Sequence, residues 1–209
     1  MPTHPLKLLR SCSIQSGRIQ VDGVTLFAGS ADSFSAFARE AFQALEIDYP
    51  KFYRMDNLAR LGFLAAEYLL AGQALPTADG AGARMGIVLA NANSSLDTDL
   101  QHEHRLRQGL ASPALFVYTL PNIAVGELCI RHGIKGENLL LVEAQYNPAA
   151  QVAYVSGLLT RQRLDRCLGG WLDLLGQDYR AFLYLVGPGD EAGQPDYTAA
   201  EVTRLFEAG

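Results

Sequence analysis

Cysteine is scarce in this chain: Cys12, Cys129 and Cys167 are the only three among 209 residues, and none has a paired spacing. An odd, scattered set excludes a disulfide framework and a cysteine-built zinc site. It fits a reducing, cytoplasmic compartment in which the thiols act as small buried hydrophobes. Histidine is equally sparse, with four residues. His102 and His104 are two apart, so on a helix they face different ways and cannot form an i, i+4 metal pair. The polar segment that carries them reads as a solvated helix face, so no metal is expected.

Other absences narrow the field further. No apolar run reaches membrane-spanning length, and the N-terminus has Lys7 and Arg10 but no long apolar stretch or small-residue cleavage site. Neither membrane insertion nor secretion is expected. A net charge of −5 gives no electrostatic reason to expect nucleic acid. There is no G-x-S-x-G elbow, phosphate-cradling glycine loop, internal repeat or low-complexity segment, so no esterase triad and no cofactor is indicated. What is present is 49% apolar residues with no charge-rich block, enough for one globular domain over residues 1–209.

The densest information lies between Leu120 and Ala150. Pro121 suits the first turn of a helix, with Thr119 just upstream as a cap. Ile123, Val125, Leu128, Cys129 and Ile130 supply an apolar surface until His132-Gly133 ends the helix. Gly133 and Gly136 bracket Lys135 in a turn. Leu139, Leu140, Leu141 and Val142 then form an apolar run of strand length, the pattern of a strand covered on both faces. Asn147-Pro148 starts the next helix, with asparagine as N-cap and proline at the first position. Gln145 therefore sits at a sharp strand-to-helix junction, a place suited to ligands or catalysis.

The rest of the chain alternates in the same way. Leu8–Ile14, Ile19–Val21 and Val24–Phe27 read as short strands, and Ser33 caps a helix that runs to Leu45. Asp56 or Asn57 caps a second helix, whose apolar residues occupy much of its circumference and call for burial on more than one side. A flexible loop covers Pro76–Arg84, followed by a buried strand over Met85–Ala92, and Ser95 or Asp97 caps the polar helix. Arg163–Leu175 carries another strand and Ala181–Val186 a further one. Gly187 to Asp190 form a turn, and a closing amphipathic helix begins at Thr198. The expected class is α/β, a mixed sheet with helices packed on it.

Several of these residues resemble the ketosynthase branch of the thiolase superfamily. Met55-Asp56 follows Arg54 as in the family's Arg-Met-Asp lead into a long Ala-rich helix. Leu120-Pro121-Asn122, a helix, then Gly133-Ile134-Lys135-Gly136 and a strand repeat the family's Leu-Pro-Asn, helix, Gly-x-Lys-Gly, strand order. Gly169-Gly170 matches a glycine pair, and Ala144 matches the alanine before the reactive cysteine. Gln145 stands where that cysteine belongs. The likeness covers roughly residues 50–175 and departs at Tyr146-Asn147-Pro148, where active members have Ala-Ser-Gly, and at Asn91–Ser95, where the family's glycines are missing.

The resemblance implies a layered, thiolase-like half fold in a short protein that lacks the family's C-terminal half and with it the two catalytic histidines. An amide cannot form a thioester with an acyl group. A catalytically inactive ketosynthase-like accessory protein of bacterial fatty-acid or polyketide-type biosynthesis follows, comparable to a chain length factor. The alternatives are a malonyl-thioester decarboxylase or other acyltransfer enzyme, and an acyl-chain binding module; a further reading of Gln145 is that it only satisfies backbone groups at a crowded junction. Glu143, Tyr146, Asn147 and Asn93 are the pocket candidates. Asn138, Leu139, Leu140, Leu141 and Val142 form the strand that the family pairs across a two-fold axis, in a homodimer or in a heterodimer with a full-length ketosynthase. The closing helix could instead cover that edge as a lid. Lys51, Arg54 and Arg60 are candidates for docking an acyl carrier protein.

Overall fold

Strict alternation in two neighbouring strands sets the architecture. In β6 (Arg166–Leu175) and β7 (Asp178–Pro188), Leu168, Leu172, Leu183 and Leu185 point to one face of the sheet, while Cys167, Trp171, Phe182 and Tyr184 point to the other. Both sets are almost fully buried, so each face of the sheet must carry its own layer of helices. The computed structural model, which describes residues 5–30, 32–73, 75, 82–189 and 193–209, has that arrangement. Its sheet has seven strands in the order β3-β2-β1-β7-β6-β4-β5. The remaining strands are β1 (Leu6–Gln15), β2 (Arg18–Val21), β3 (Val24–Ala28), β4 (Met85–Asn91) and β5 (Asn138–Val142).

Pairing is mixed: β4 runs parallel to β5 and β6, and the other neighbours are antiparallel. Along β1, Leu8 belongs to one face and Cys12 and Ile14 to the other, although all are even-numbered. A register shift between Leu8 and Arg10 inserts the extra residue that reverses the alternation.

The first face is covered by α1 (Phe34–Ala44), α2 (Asn57–Leu70) and α5 (Asn122–His132). Ser33 caps α1 by accepting from the Ala36 N–H at 3.3 Å, and Asp56 caps α2 by accepting from Ala59 at 2.9 Å. Helix α2 is buried on nearly every side, as its apolar circumference requires, and Gly62 lets it approach Leu172 of the sheet closely. Helix α5 ends at Gly133, whose φ of 66° is the left-handed conformation that glycine adopts without a Cβ clash. Thr119 does not cap this helix; its hydroxyl donates to the Phe116 carbonyl at 2.7 Å, and Pro121 itself takes the cap position.

The second face carries α6 (Pro148–Thr160) and α7 (Ala199–Ala208). The segment before α7 is sewn to β1: the Leu8 N–H donates to Pro195, the Tyr197 N–H donates to Leu6, and Lys7 pairs with Asp196 at 2.6 Å. Helix α7 then packs on α6 and on the Phe182 side of the sheet. It is not a lid on β5, whose outer edge pairs with no strand among the described residues. The apolar run Leu139–Val142 is correspondingly half-covered: Leu139 and Leu141 pack on one face, Leu140 packs on the other, and Val142 is 56% exposed. Of the loop expected at Pro76–Arg84, residues 76–81 lie outside the described residues, and Gly82–Arg84 form a 3-10 turn into β4. Gly187 and Pro188 belong to β7 and not to a turn, and Asp190 lies outside the described residues.

Two glycines give a test of this packing. A Cβ on Gly170 would meet the Phe182 carbonyl oxygen at 1.9 Å, whereas one on Gly157, in α6, would meet nothing within 4 Å. Gly170→Ala is expected to lower stability by roughly 3 kcal/mol, and Gly157→Ala to raise it by about 0.5–1 kcal/mol. Urea denaturation of the two variants checks both; equal effects would contradict the packing described.

Candidate functional site

The topology points to a crevice at the carboxyl ends of β4 and β5. From β4 the chain passes through α3 (Leu96–Arg107) and α4 (Pro113–Val117) and returns to β5 by way of α5 on the α2 face. From β5 it returns to β6 through α6 on the opposite face. Neighbouring parallel strands whose following helices leave to opposite faces open a cleft that ligands and partners use.

One wall is the turn after β4, and a single carboxylate shapes it. Asp173 of β6 accepts from the Ala92 N–H at 3.1 Å, the Asn93 N–H at 2.9 Å and the Asn93 amide at 2.8 Å. Asn91, fully buried, donates to the Ser94 carbonyl at 2.9 Å, which holds Ser94 at a φ of 52°. Ser95 stands at the start of α3 without a side-chain cap; its hydroxyl lies 2.9 Å from the Thr119 carbonyl and 3.1 Å from the Asp99 carboxylate.

The other wall is Glu143–Asn147. It is a five-residue bend with no left-handed residue in it, more open than the sharp elbow expected from the sequence. Its backbone is tied at one end by the Glu143 N–H donating to Asn91 at 2.8 Å. At the other end Asn147 caps α6 by accepting from the Ala150 N–H at 3.1 Å. Gln145 lies between these ties, exposed, and its carboxamide makes no hydrogen bond among the described residues. It therefore does not serve to satisfy backbone groups at the junction.

Tyr146 turns the other way, into the second core. Its hydroxyl donates to Gln151 Oε1 at 2.6 Å, and Tyr184 donates to the same oxygen at 2.8 Å. Gln151 Nε2 donates to the Val88 carbonyl at 3.1 Å and the Gly170 carbonyl at 3.0 Å, while the Tyr184 and Tyr197 hydroxyls lie 2.8 Å apart. Burial pushes the phenols of Tyr146, Tyr184 and Tyr197 well above their ordinary range, so all three stay neutral donors and acceptors. Of the pocket candidates, Asn93 is bound by the Asp173 carboxylate, Asn147 caps α6, Tyr146 joins the buried network, and Glu143 stays partly exposed in the bend beside Gln145.

Asp173, Gln151, Tyr184 and Tyr197 were not found from the sequence. An acid and a glutamine inside otherwise apolar runs, GGWLDLL and PAAQVAYV, are the signals that mark two of them.

The basic candidates are divided. Lys51 pairs with the buried carboxylate of Glu127 at 2.6 Å, which also accepts from the Tyr118 hydroxyl at 2.9 Å. Arg60 donates to the Phe52 and Tyr53 carbonyls at 3.2 and 2.9 Å, and burial lowers its pKa. Arg54 is exposed, and with Arg60, Arg105, Gln101 and Ser112 it lines a cleft of about 230 Å³. A second cleft, of about 650 Å³, lies at the ends of α2 and α5 beside Glu67, Arg131 and His132.

The cysteines and the described histidines have surroundings of their own. Burial pushes the thiols of Cys12 and Cys167 far up and that of Cys129 to about 11, so none is a thiolate at neutral pH. His104 contacts Gln108, His102 packs near Phe116, and His132 sits 3.4 Å from Glu67 with its pKa lowered by burial. His4 lies outside the described residues. No group of three or more His, Cys, Asp or Glu residues among the described residues could hold a metal ion, and no described helix is long and apolar enough to cross a membrane.

With this geometry in place, the fold can be compared with known ones. No family model matches the chain, and no curated protein matches it. Solved structures do. The ishigamide ketosynthase/chain length factor aligns with a TM-score of 0.64 at 16% identity, over 92% of this chain and 64% of that one. The ketosynthase ApeO in complex with its chain length factor ApeC, from Xenorhabdus doucetiae, aligns with a TM-score of 0.58 at 15% identity, over 97% of this chain and 90% of the matched one. A type II polyketide synthase acyl-carrier protein in complex with its ketosynthase, bound to the hexaketide, gives 0.59 at 12% identity, over 88% and 62%. The chain thus has the thiolase-like fold of ketosynthase and chain length factor structures, and spans under two thirds of the matched chain in two of the three.

Asp173 supplies the test of the site's frame. Asp173→Ala leaves two backbone N–H groups and the Asn93 amide without an acceptor, and is expected to cost about 2–4 kcal/mol. Asp173→Asn sets an amide against the Asn93 amide and is expected to cost about 1–2 kcal/mol. Denaturant unfolding measures both, and unchanged stability in the alanine variant would refute the role assigned to Asp173.

Proposed function

We propose that this chain is a ketosynthase-like accessory subunit of polyketide-type biosynthesis that pairs with a full-length ketosynthase and carries out no condensation itself. The observation that carries the reading is Gln145. It stands in the bend that follows a sheet-edge strand, exposed and without a hydrogen bond among the described residues, where the resemblance places a cysteine. A carboxamide has no lone pair nucleophilic enough to take an acyl group, and Cys12 and Cys167 are buried.

Two surfaces support pairing. The outer edge of β5 presents unpaired backbone groups beside the exposed Val142, an arrangement that invites another strand. The stretch through α3 and α4 exposes Leu100, Leu106, Leu110, Phe116, Val117 and Leu120, each at least 48% accessible, which is more apolar surface than a lone chain ordinarily leaves in water. A heterodimer is favoured over a homodimer because the matched structures include a ketosynthase with its own chain length factor. In such a pair Gln145 would border the partner's acyl tunnel and help set its depth. The cleft with Arg54, Arg60 and Arg105 is the surface we assign to an acidic acyl carrier protein.

Co-expression with a ketosynthase of the same organism, followed by affinity capture of this chain, tests the pairing. Recovery of a stoichiometric complex is expected, and recovery of this chain with neither ketosynthase nor carrier protein would overturn the reading. Gln145→Cys, assayed alone with acyl and malonyl thioesters, is expected to remain inactive, because nucleophilic catalysis needs an activating base as well as the sulfur. Condensation by that variant without a partner would contradict the assignment.

A further inference from the structure

Tyr146 belongs to two structures at once. It is the residue after Gln145 in the bend, and its ring packs 4.8 Å from Phe206 of α7 and 5.6 Å from Trp171 of the sheet. Its hydroxyl ends a hydrogen-bonded chain that runs through Gln151 and Tyr184 to Tyr197, the residue before the α7 cap. The two ends of that chain are the crevice wall and the start of α7. Proton order along it is fixed by the acceptors. Tyr146 and Tyr184 both give their protons to Gln151 Oε1, so Tyr184 can only accept from Tyr197. Phe206 is itself held, since Arg180 stacks over its ring at 3.6 Å and donates to its carbonyl.

The bend has few other anchors. Among the described residues, the bend is tied to the body of the protein through the Glu143 N–H, the Tyr146 hydroxyl, and the side chain and carbonyl of Asn147. Tyr146 is the one whose ties lead to α7. We infer that α7 is the positioning element of the Gln145 bend: through Phe206 and Tyr197 it holds Tyr146, and so keeps Gln145 presented on the crevice. Undocking of α7 releases the bend while leaving the sheet in place, which makes the C-terminal helix a lever on whatever binds at Gln145. This inference rests on the contacts of the bend alone and stands or falls separately from the identity of the partner.

Amide hydrogen exchange of the full chain tests it, read at the Glu143, Ala150 and Gln151 amides, which bond to Asn91, Asn147 Oδ1 and the Asn147 carbonyl. Ile87, whose N–H bonds to Glu137 at the opposite end of β5, is the internal control. Phe206→Ala is expected to accelerate exchange at the three bend-linked amides about tenfold, with Ile87 unchanged. Tyr197→Phe, which keeps the ring, is expected to accelerate them about threefold, and Phe206→Tyr to restore the parent rates. The emission of Trp171, the only tryptophan, should shift with the same variants as Tyr146 loosens against it. Acceleration confined to Ala199–Ala208, or spread equally to Ile87, would overturn the inference.

Discussion

A buried carboxamide must have its donors and acceptor filled, and in this protein the amide of Gln151 imposes that condition on almost everything around the crevice. It is 1% exposed, and its four hydrogen bonds reach β4, β6, β7 and the bend after β5. Removing any partner would leave a buried polar group unpaired, at a cost of about 1–3 kcal/mol. Helix α6 is therefore fixed to the sheet by polar geometry as well as by apolar contact. The all-round apolar character of α6 would not by itself choose one orientation.

That constraint explains how the second face holds together. On the first face, three helices and a long aromatic cluster form a deep core. Among the described residues the second face carries α6 and α7, and its core is smaller and more polar. The tyrosine-glutamine network and the backbone stitching of Pro195–Tyr197 to β1 give this thin layer a fixed geometry. Gln145 is thereby presented outward from a rigid base, with the free edge of β5 beside it. Such an arrangement fits the pairing we propose.

Much of this was legible in the sequence because the signals were local. The caps at Ser33, Asp56, Asn147 and Thr198 are where side-chain chemistry puts them, and the strands from β1 to β7 follow apolar runs bounded by turns. The order of β5, Gln145 and α6 was likewise readable, but the sharp junction expected at Gln145 is an open bend from Glu143 to Asn147. What escaped was non-local. The apolar run Leu139–Val142 reads as a strand covered on both faces, whereas β5 is the edge strand that the resemblance implies and Val142 is 56% exposed, because cover depends on which helices the rest of the chain brings over it. The docking of α7 on α6, and not over β5, depends on Tyr146 and Phe206 meeting across 60 residues of sequence. Asp173 and Gln151 were hidden because a single polar residue in an apolar segment reads as a pattern error until its partners are seen.

The central claim is that the outer edge of β5 and Gln145 form the seam with a partner ketosynthase. Hydrogen–deuterium exchange over residues 138–145, compared between the isolated chain and its complex, tests it most directly. The account predicts that amides facing away from β4 exchange freely in the isolated chain and are slowed about a hundredfold in the complex. Equal exchange in both states, with protection appearing elsewhere on the molecule, would contradict it.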